Sequence, residues 1–241
     1  MSDHELSSET KPLLETVSVA TLATALYRRG LRNQVIQDVH PVARKGQNMV
    51  GPAFTLRYMP AREDRNQLVE FRNPKHPQRL AIETCPPGHI MVMDSRNSAY
   101  AASAGDILIT RLMMLGAAGV VTDGGFRDAM NIGELEMPAY HNRPSSPTNL
   151  TTNEAIDINV PIGCGDAPVF PGDILVGDDD SVIVIPAHLA DEVAIEAVEM
   201  TAFEDFALSK VQAGASIIGL YPATKEENLE EFKEWRAKHG R

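Results

Sequence analysis

Arg127 and Asp128 stand side by side directly after Val120-Val121-Thr122-Asp123-Gly124-Gly125-Phe126. On one strand, neighbouring side chains point to opposite faces; in a turn they converge on a single ligand. An arginine fork holds a carboxylate bidentately. An aspartate binds a hard divalent cation, and Mg²⁺ uses only one or two protein carboxylates while keeping several waters. Upstream, Gly105-Asp106-Ile107-Leu108 opens the apolar stretch GDILITRLMMLGAAG, residues 105–119, long enough for a helix. A helix N-terminus presents free backbone amides and a positive dipole end, a site for a carboxylate or phosphate. The plainer reading, in which Asp106 only caps its own helix, is the one its residue type favours. If this helix packs on the strand that follows at 119–124, with the chain reversing at Gly116–Gly119, the strand's end lies beside the helix's start. Asp106 then faces the same mouth as Arg127 and Asp128, the end of an α/β sheet where ligands bind.

Such a mouth suits a 2-oxo acid. The helix end and Arg127 would take the carboxylate, and a metal would draw electron density from the ketone. Breaking the bond beyond C3 leaves an enolate that the metal and the arginine stabilise. Retro-aldol cleavage and decarboxylation of a 2-oxo diacid share that species. No lysine lies in these motifs, which argues against a Schiff-base aldolase.

Other groups carry less. No HxxxH or HExxH pairing joins the seven histidines. Asp178-Asp179-Asp180 lacks the glycine and distal glutamate of a calcium loop and reads as a hairpin turn. Cys164 sits between glycines without a paired histidine, Cys85 is far from it, and neither a disulfide framework nor a zinc site follows. Met113-Met114 reads as core filler. The 241 residues carry 22 basic and 33 acidic side chains, a formal charge of −11 that disfavours nucleic acid as a partner. The polar start MSDHELSSETK is no signal peptide, no apolar run reaches membrane length, and the expected location is cytoplasmic.

The elements that must position these groups are legible in outline. Residues 1–10 read as a disordered tail, and 18–30 as a helix with Ser18 as N-cap and Gly30 at its end. Strands are expected at 48–59, 89–94, 119–124, 138–141 and 160–163, with two more at 171–186 around the acidic turn. The helix from 105 reads as buried between a sheet and another subunit or layer. Residues 62–78 and 142–155 read as loops, the first with room for one helical turn; the wider 60–80 stretch bears Arg62, Arg65, Arg72, Lys75 and Arg79. A long helix spans 187–213 and stops at Gly214. The tail has Thr224 and Glu227 at capping-box spacing, with Leu229, Phe232 and Trp235 as a narrow apolar stripe. Short strands with helices at both ends give a mixed α/β domain without a regular βαβ alternation or a GxGxxG motif.

GDIL followed by GVVTDGGFRD resembles the paired signature of the RraA-like family, which includes 4-hydroxy-4-methyl-2-oxoglutarate aldolases, 2-oxo diacid decarboxylases and non-catalytic regulators of ribonuclease E. The resemblance extends over roughly residues 12–220, through GPAFTL at 51–56 and PGD…GDDDSVIVIP at 171–186. It implies a swivelling β/β/α fold over 11–220, followed by a helical extension over 221–241. It further implies Mg²⁺ or Mn²⁺ held by Asp128, and substrate carboxylate and enolate oxygen bound by Arg127. Asp106 would orient metal-bound water, and the amides at Ile107 and Leu108, next to Gly105, would bind carboxylate. A glutamate from a neighbouring subunit would be Glu204, with Glu196 and Glu199 close by on the same helix. That arrangement implies a homotrimer or homohexamer with its site between subunits. The resemblance leaves a regulator, or an enzyme of sugar-acid metabolism, as the alternatives to a lyase; the 60–80 loop and the 221–241 tail are longer than the family pattern.

Overall fold

The computed structural model describes residues 6–240. In chain order, α1 (Thr10–Leu14) and α2 (Val19–Arg28) precede β1 (Val35–Ile36), β2 (His40–Pro41) and the long β3 (Met49–Pro60). Then come a 3₁₀ turn at Leu68–Arg72, α3 (Pro77–Thr84), β4 (Ile90–Asp94), β5 (Ala102–Ala104), α4 (Asp106–Met114), β6 (Gly119–Thr122) and β7 (Gly125–Phe126). Next follow α5 (Ala129–Glu134), β8 (Ala139–His141), β9 (Arg143–Pro144), β10 (Asn153–Ile158), β11 (Ile162–Cys164) and β12 (Ala167–Val169). The hairpin β13 (Ile174–Gly177) and β14 (Val182–Ile185) leads into α6 (Ala190–Gln212) and α7 (Glu226–His239).

β3 organises the sheet. Its first part pairs antiparallel with β13, its middle parallel with β4, and its end antiparallel with β10. Gly51, at the first junction, lies so close to the Gly88 carbonyl that a Cβ would stand 2.6 Å from it. The strands run β1-β14-β13-β3-β4-β6-β8-β2, with β10 beside β3, in one nine-stranded sheet. Its middle, β3-β4-β6-β8, is parallel. Parallel strands are covered on both faces and therefore read as unbroken apolar runs; Met91, Val92, Met93, Val120 and Val121 are fully buried. One face packs on α3, α4 and α5 through Ile82, Ile109, Leu112 and Ile132. At the β13–β14 end, α1, α2 and α6 cover the sheet through Leu14, Leu22, Leu26, Val193 and Ala197.

Beyond the carboxyl ends of β4, β6 and β8 the chain makes a second, smaller parallel sheet from their continuations, β5-β7-β9. Asp123 fixes the first of these crossings. It is buried, and its carboxylate accepts the amides of Ser95 at 2.6 Å, Asn97 at 2.9 Å and Gly165 at 3.3 Å. The two glycines after it are needed because the layers touch: a Cβ at Gly124 would lie 2.5 Å from Ser103 Oγ, and one at Gly125 would lie 2.5 Å from Ser145 Cβ.

Several expectations are corrected. The helix from 105 ends at Met114, short of 119; within one chain Ile109 and Leu112 are buried against the sheet, while Ile107 and Met114 are exposed. Met114 is therefore not core filler. The 142–155 stretch is not all loop, because β10 adds to β3 and buries Ala155 against it. Residues 77–84, next to the expected 62–78 loop, are helical. Lys225, not Thr224, precedes α7, and no side chain caps that helix; the Thr224 amide turns back to Gly219 instead. Phe232 and Trp235 dock on Phe206 of α6. The tail expected over 1–10 falls partly on undescribed residues, but Thr10 already opens α1 and is buried. Among the expectations met, Ser18 caps α2 by accepting the Thr21 amide. The acidic run is the β13–β14 turn, where Asp178 accepts the amides of Asp180 and Ser181 and also that of Val19 at the start of α2.

Candidate active site

In the small sheet, β5 and β7 lie parallel with Ala104 opposite Phe126, and the Arg127 amide donates to the Ala104 carbonyl at 3.1 Å. Gly105-Asp106 and Arg127-Asp128 therefore leave the sheet side by side, the first into α4 and the second into α5. Gly105 permits the approach: a Cβ there would lie 2.7 Å from Arg127 Cγ and 3.3 Å from Asp128 Oδ2.

Asp128 has φ 57° and ψ 35°. Few residues other than glycine take this left-handed conformation, and aspartate is among those that tolerate it. It occupies the N-cap position of α5, yet its side chain makes no capping bond. Its Oδ2 accepts from Arg127 Nε at 3.3 Å, and both side chains are about half exposed. An exposed pair of this kind contributes only ~0–1 kcal/mol to folding. Asp106 is held at both oxygens: Oδ1 accepts the Ile107 amide at 2.7 Å and Oδ2 accepts Asn131 Nδ2 at 2.9 Å.

The amide of Ile107 is taken by Asp106, and the amide of Leu108 points to the Gly105 carbonyl at 3.1 Å. In this arrangement both amides at the helix start are engaged within the chain.

Gly105, Asp106, Ile107, Leu108, Arg127 and Asp128 line one wall of a cavity of about 620 Å³. Ala102 and Ala104 of β5 also line it, together with Leu68, Phe71, Gln78, Arg79, Thr148 and Asn149. Glu204 is elsewhere, on α6, where its carboxylate accepts from Thr21 Oγ1 at 2.8 Å and from Tyr221 Oη at 3.1 Å. Within one chain it does not reach this cavity.

Electrostatics separate the site from the core behind it. Burial raises the Asp123 carboxyl to about 6 against the pull of its backbone amides. Burial also pushes the Cys164 thiol well above its usual range, and Cys164 is fully enclosed. It is therefore not a nucleophile. His141, stacked on Phe126, is pushed down to about 4 by burial.

Two residues near the cavity escaped sequence reasoning. Asn131 orients Asp106, and its only signal is its place one helical turn past Asp128. Asp123 left a clear trace, a charge between a fully apolar strand and two glycines. Arg79 was marked in the sequence as one of the basic residues of the 60–80 stretch, and it lines the cavity.

Comparison with known proteins meets this geometry. A family model described as RraA-like, aldolase/RraA, matches residues 19–184. A protein of Halalkalibacterium halodurans named "Putative 4-hydroxy-4-methyl-2-oxoglutarate aldolase" is 38% identical over 106 residues, 44% of this chain. The match spans half the length of that curated relative. It spans 34% of protein DlpA of Legionella pneumophila, which is 23% identical over 88% of this chain. The solved structure of RraAS2 from Streptomyces coelicolor, described as an unusual member of the RNase ES inhibitor RraA protein family, superposes with a TM-score of 0.74. It is 28% identical, covering 84% of this chain and 97% of its own. An uncharacterized protein of Pseudomonas syringae shares the fold with a TM-score of 0.78 at 20% identity, covering 92% of this chain and 96% of its own. The family model spans well over half the sequence and includes both strand ends that deliver Asp106 and Asp128, so this chain belongs to the RraA-like family.

Proposed function

We propose that the chain is a divalent-metal-dependent lyase that cleaves a 2-oxo acid, by retro-aldol cleavage of a 4-hydroxy-2-oxo acid or by decarboxylation of oxaloacetate. The observation that carries this is the β5–β7 register, which sets an arginine and two carboxylates at one cavity mouth. The name of the H. halodurans relative supports the same chemistry.

The donor set fits Mg²⁺ or Mn²⁺. Among the described residues no group of three His, Cys, Asp or Glu side chains forms a closed metal cage. Magnesium asks for less, one or two carboxylates and waters in an open site. Asp128 would hold it, with its carboxylate released from capping duty by the left-handed backbone. When bound, the cation supplies Lewis-acid polarisation of the 2-oxo group.

The chain's own residues do the rest. Arg127 binds the substrate carboxylate through its fork and lies beside the 2-oxo oxygen, where negative charge grows as the C3–C4 bond breaks. Electrons from that bond form the enolate of pyruvate, and a proton returned to C3 completes the product. In the retro-aldol case the C4 hydroxyl gives up its proton as the second carbonyl forms. Asp106, fixed by Asn131 and its own helix start, orients the water that takes it. Glu204 enters this scheme only from a second copy of the chain, which is how we propose that a trimer or hexamer completes the site.

The test is pyruvate release followed with lactate dehydrogenase, offering oxaloacetate and 4-hydroxy-4-methyl-2-oxoglutarate with Mg²⁺ or with excess chelator, after subtraction of the enzyme-free blank. Chelator-sensitive release that falls at least about 100-fold in Asp128→Ala is expected. Release that persists in the variant, or none from the wild type, sinks the reading. A second reading, a regulator of ribonuclease machinery, has the similarity to RraAS2 in its favour. It predicts that Asp128→Ala leaves partner binding intact.

A further inference from the structure

A buried polar chain joins the strands that deliver the site. Asp123 Oδ1 accepts the Ser95 amide at 2.6 Å, and Oδ2 accepts the amides of Asn97 at 2.9 Å and Gly165 at 3.3 Å. Ser95 passes the connection on: its hydroxyl lies 2.7 Å from Ser103 Oγ, which in turn lies 2.7 Å from Thr122 Oγ1. Ser103 is the middle residue of β5, and its carbonyl accepts from Gln78 Nε2 at 2.5 Å and from Tyr58 Oη at 3.0 Å. Ser95, Ser103 and Thr122 are all fully buried. The ends of β4 and β6 are thus tied to β5 two residues before Gly105, where the cavity wall begins.

The choice of aspartate is informative. A carboxylate taken out of water costs free energy. Burial, aided by the charge of Asp94 at the end of β4, holds Asp123 at about 6 against the pull of three amides. Asparagine has the same shape without the charge, but only one oxygen. It cannot accept Ser95 on one atom and Asn97 with Gly165 on the other. The carboxylate is the group that holds both segments at once. Asn97 strengthens the tie, since its Nδ2 also donates to Asp166 Oδ1 at 2.9 Å in the β11–β12 turn.

We infer that Asp123 is a positioning residue for the reaction: through Ser95 and Ser103 it holds β5 against β7, so that Asp106 keeps its place relative to Arg127 and Asp128. This rests on the proposed function for the roles of those three. Arg127 and Asp128 follow β7 together, whereas Asp106 follows β5. Slack between the two strands therefore leaves the arginine and the cation ligand together and displaces the carboxylate that orients water. A displacement of about 1 Å is enough to cost on the order of 100-fold in rate.

The experiment joins hydrogen exchange by mass spectrometry with kinetics of the full chain in Mg²⁺. In Asp123→Asn, exchange over β5 and β7 is expected to quicken at least about tenfold, while β14, on the side of the large sheet away from β6, exchanges as in wild type. The kcat for pyruvate release falls at least about tenfold and KM stays within about threefold, the mark of a geometry needed for the chemical step and not for binding. Ser95→Ala keeps the amide and removes the hydroxyl link. It is expected to show the same split with a kcat lower by about threefold or more, and it carries the test should Asp123→Asn fail to fold. Exchange that quickens as much in β14 as in β5 makes Asp123 a general contributor to stability and overturns the inference. So does a KM that rises as far as kcat falls, or a Ser95→Ala enzyme with the wild-type kcat. A wild type that releases no pyruvate sinks the proposed function alone, and the exchange pattern then decides whether Asp123 holds the two strands.

Discussion

Gly105 shows what a single missing Cβ does. Its φ is −123°, so alanine fits the backbone there. The obstacle is Arg127, whose Cγ would stand 2.7 Å from the new carbon. The contact is with a flexible side chain, so Arg127 moves and the fold does not. Gly105→Ala is therefore expected to lower kcat/KM for pyruvate release at least tenfold, in line with the loss of an oriented oxyanion partner, while Tm stays within about 2 °C. An equal fall in both, read by the coupled assay and a thermal scan, would show that Gly105 serves packing and not the site. The same logic explains Asp106: bonds at both oxygens make it a fixed carboxylate, whereas Asp128, paired at 3.3 Å and half exposed, is the one we propose to hold the cation.

At the scale of elements, the helices at the carboxyl end of the chain form a unit of their own. Phe206 of α6 is buried and touches Phe203, Phe232 and Trp235. These rings hold α7, whose outer surface is charged and includes the pair from Arg236 to Glu199. α7 buries no residue completely, so its attachment depends on this aromatic contact. Phe206→Ala is expected to cost about 3–5 kcal/mol. Trp235 is the sole tryptophan, so its emission should shift to longer wavelength as α7 detaches. Unchanged emission would place the anchor elsewhere. The stripe of Leu229, Phe232 and Trp235 was legible from spacing alone. Its partner was not, because an apolar stripe says only that something covers it.

For the whole molecule, pH stability is set by buried groups of opposite sign. His141 is depressed to about 4 by burial. The unfolded chain takes up that proton near pH 6.5, so between these values the unfolded state binds more protons. The stability His141 contributes is full above pH 6.5 and is lost as pH falls toward 4. Asp123, raised to about 6, acts the other way: its contribution is full below the unfolded carboxylate value near 4 and is lost as pH rises through 6. His141→Leu removes the first effect and keeps the second. Relative to wild type, the variant's Tm should rise by at least about 2 °C between pH 7 and pH 4.5. A difference that stays constant with pH would mean that His141 is protonated alike in both states.

The amino-acid sequence by itself marked β4 and β6 as buried strands, because IMVM and VVT are unbroken apolar runs, while their parallel pairing belongs to the tertiary structure. It also determined the β13–β14 hairpin, the cap at Ser18 and the grouping of Asp106 with Arg127 and Asp128, since each is a local pattern of residue types. Tertiary structure alone decided how that grouping is made. Strands of two and three residues, β7 and β5, carry too little sequence for periodicity to show, and only their pairing puts Gly105 against Arg127. It also decided that Asp106 occupies the Ile107 amide and that Arg79 of the expected loop becomes a cavity wall. These are contacts between segments far apart in the chain, and such contacts exist only once the layers have packed.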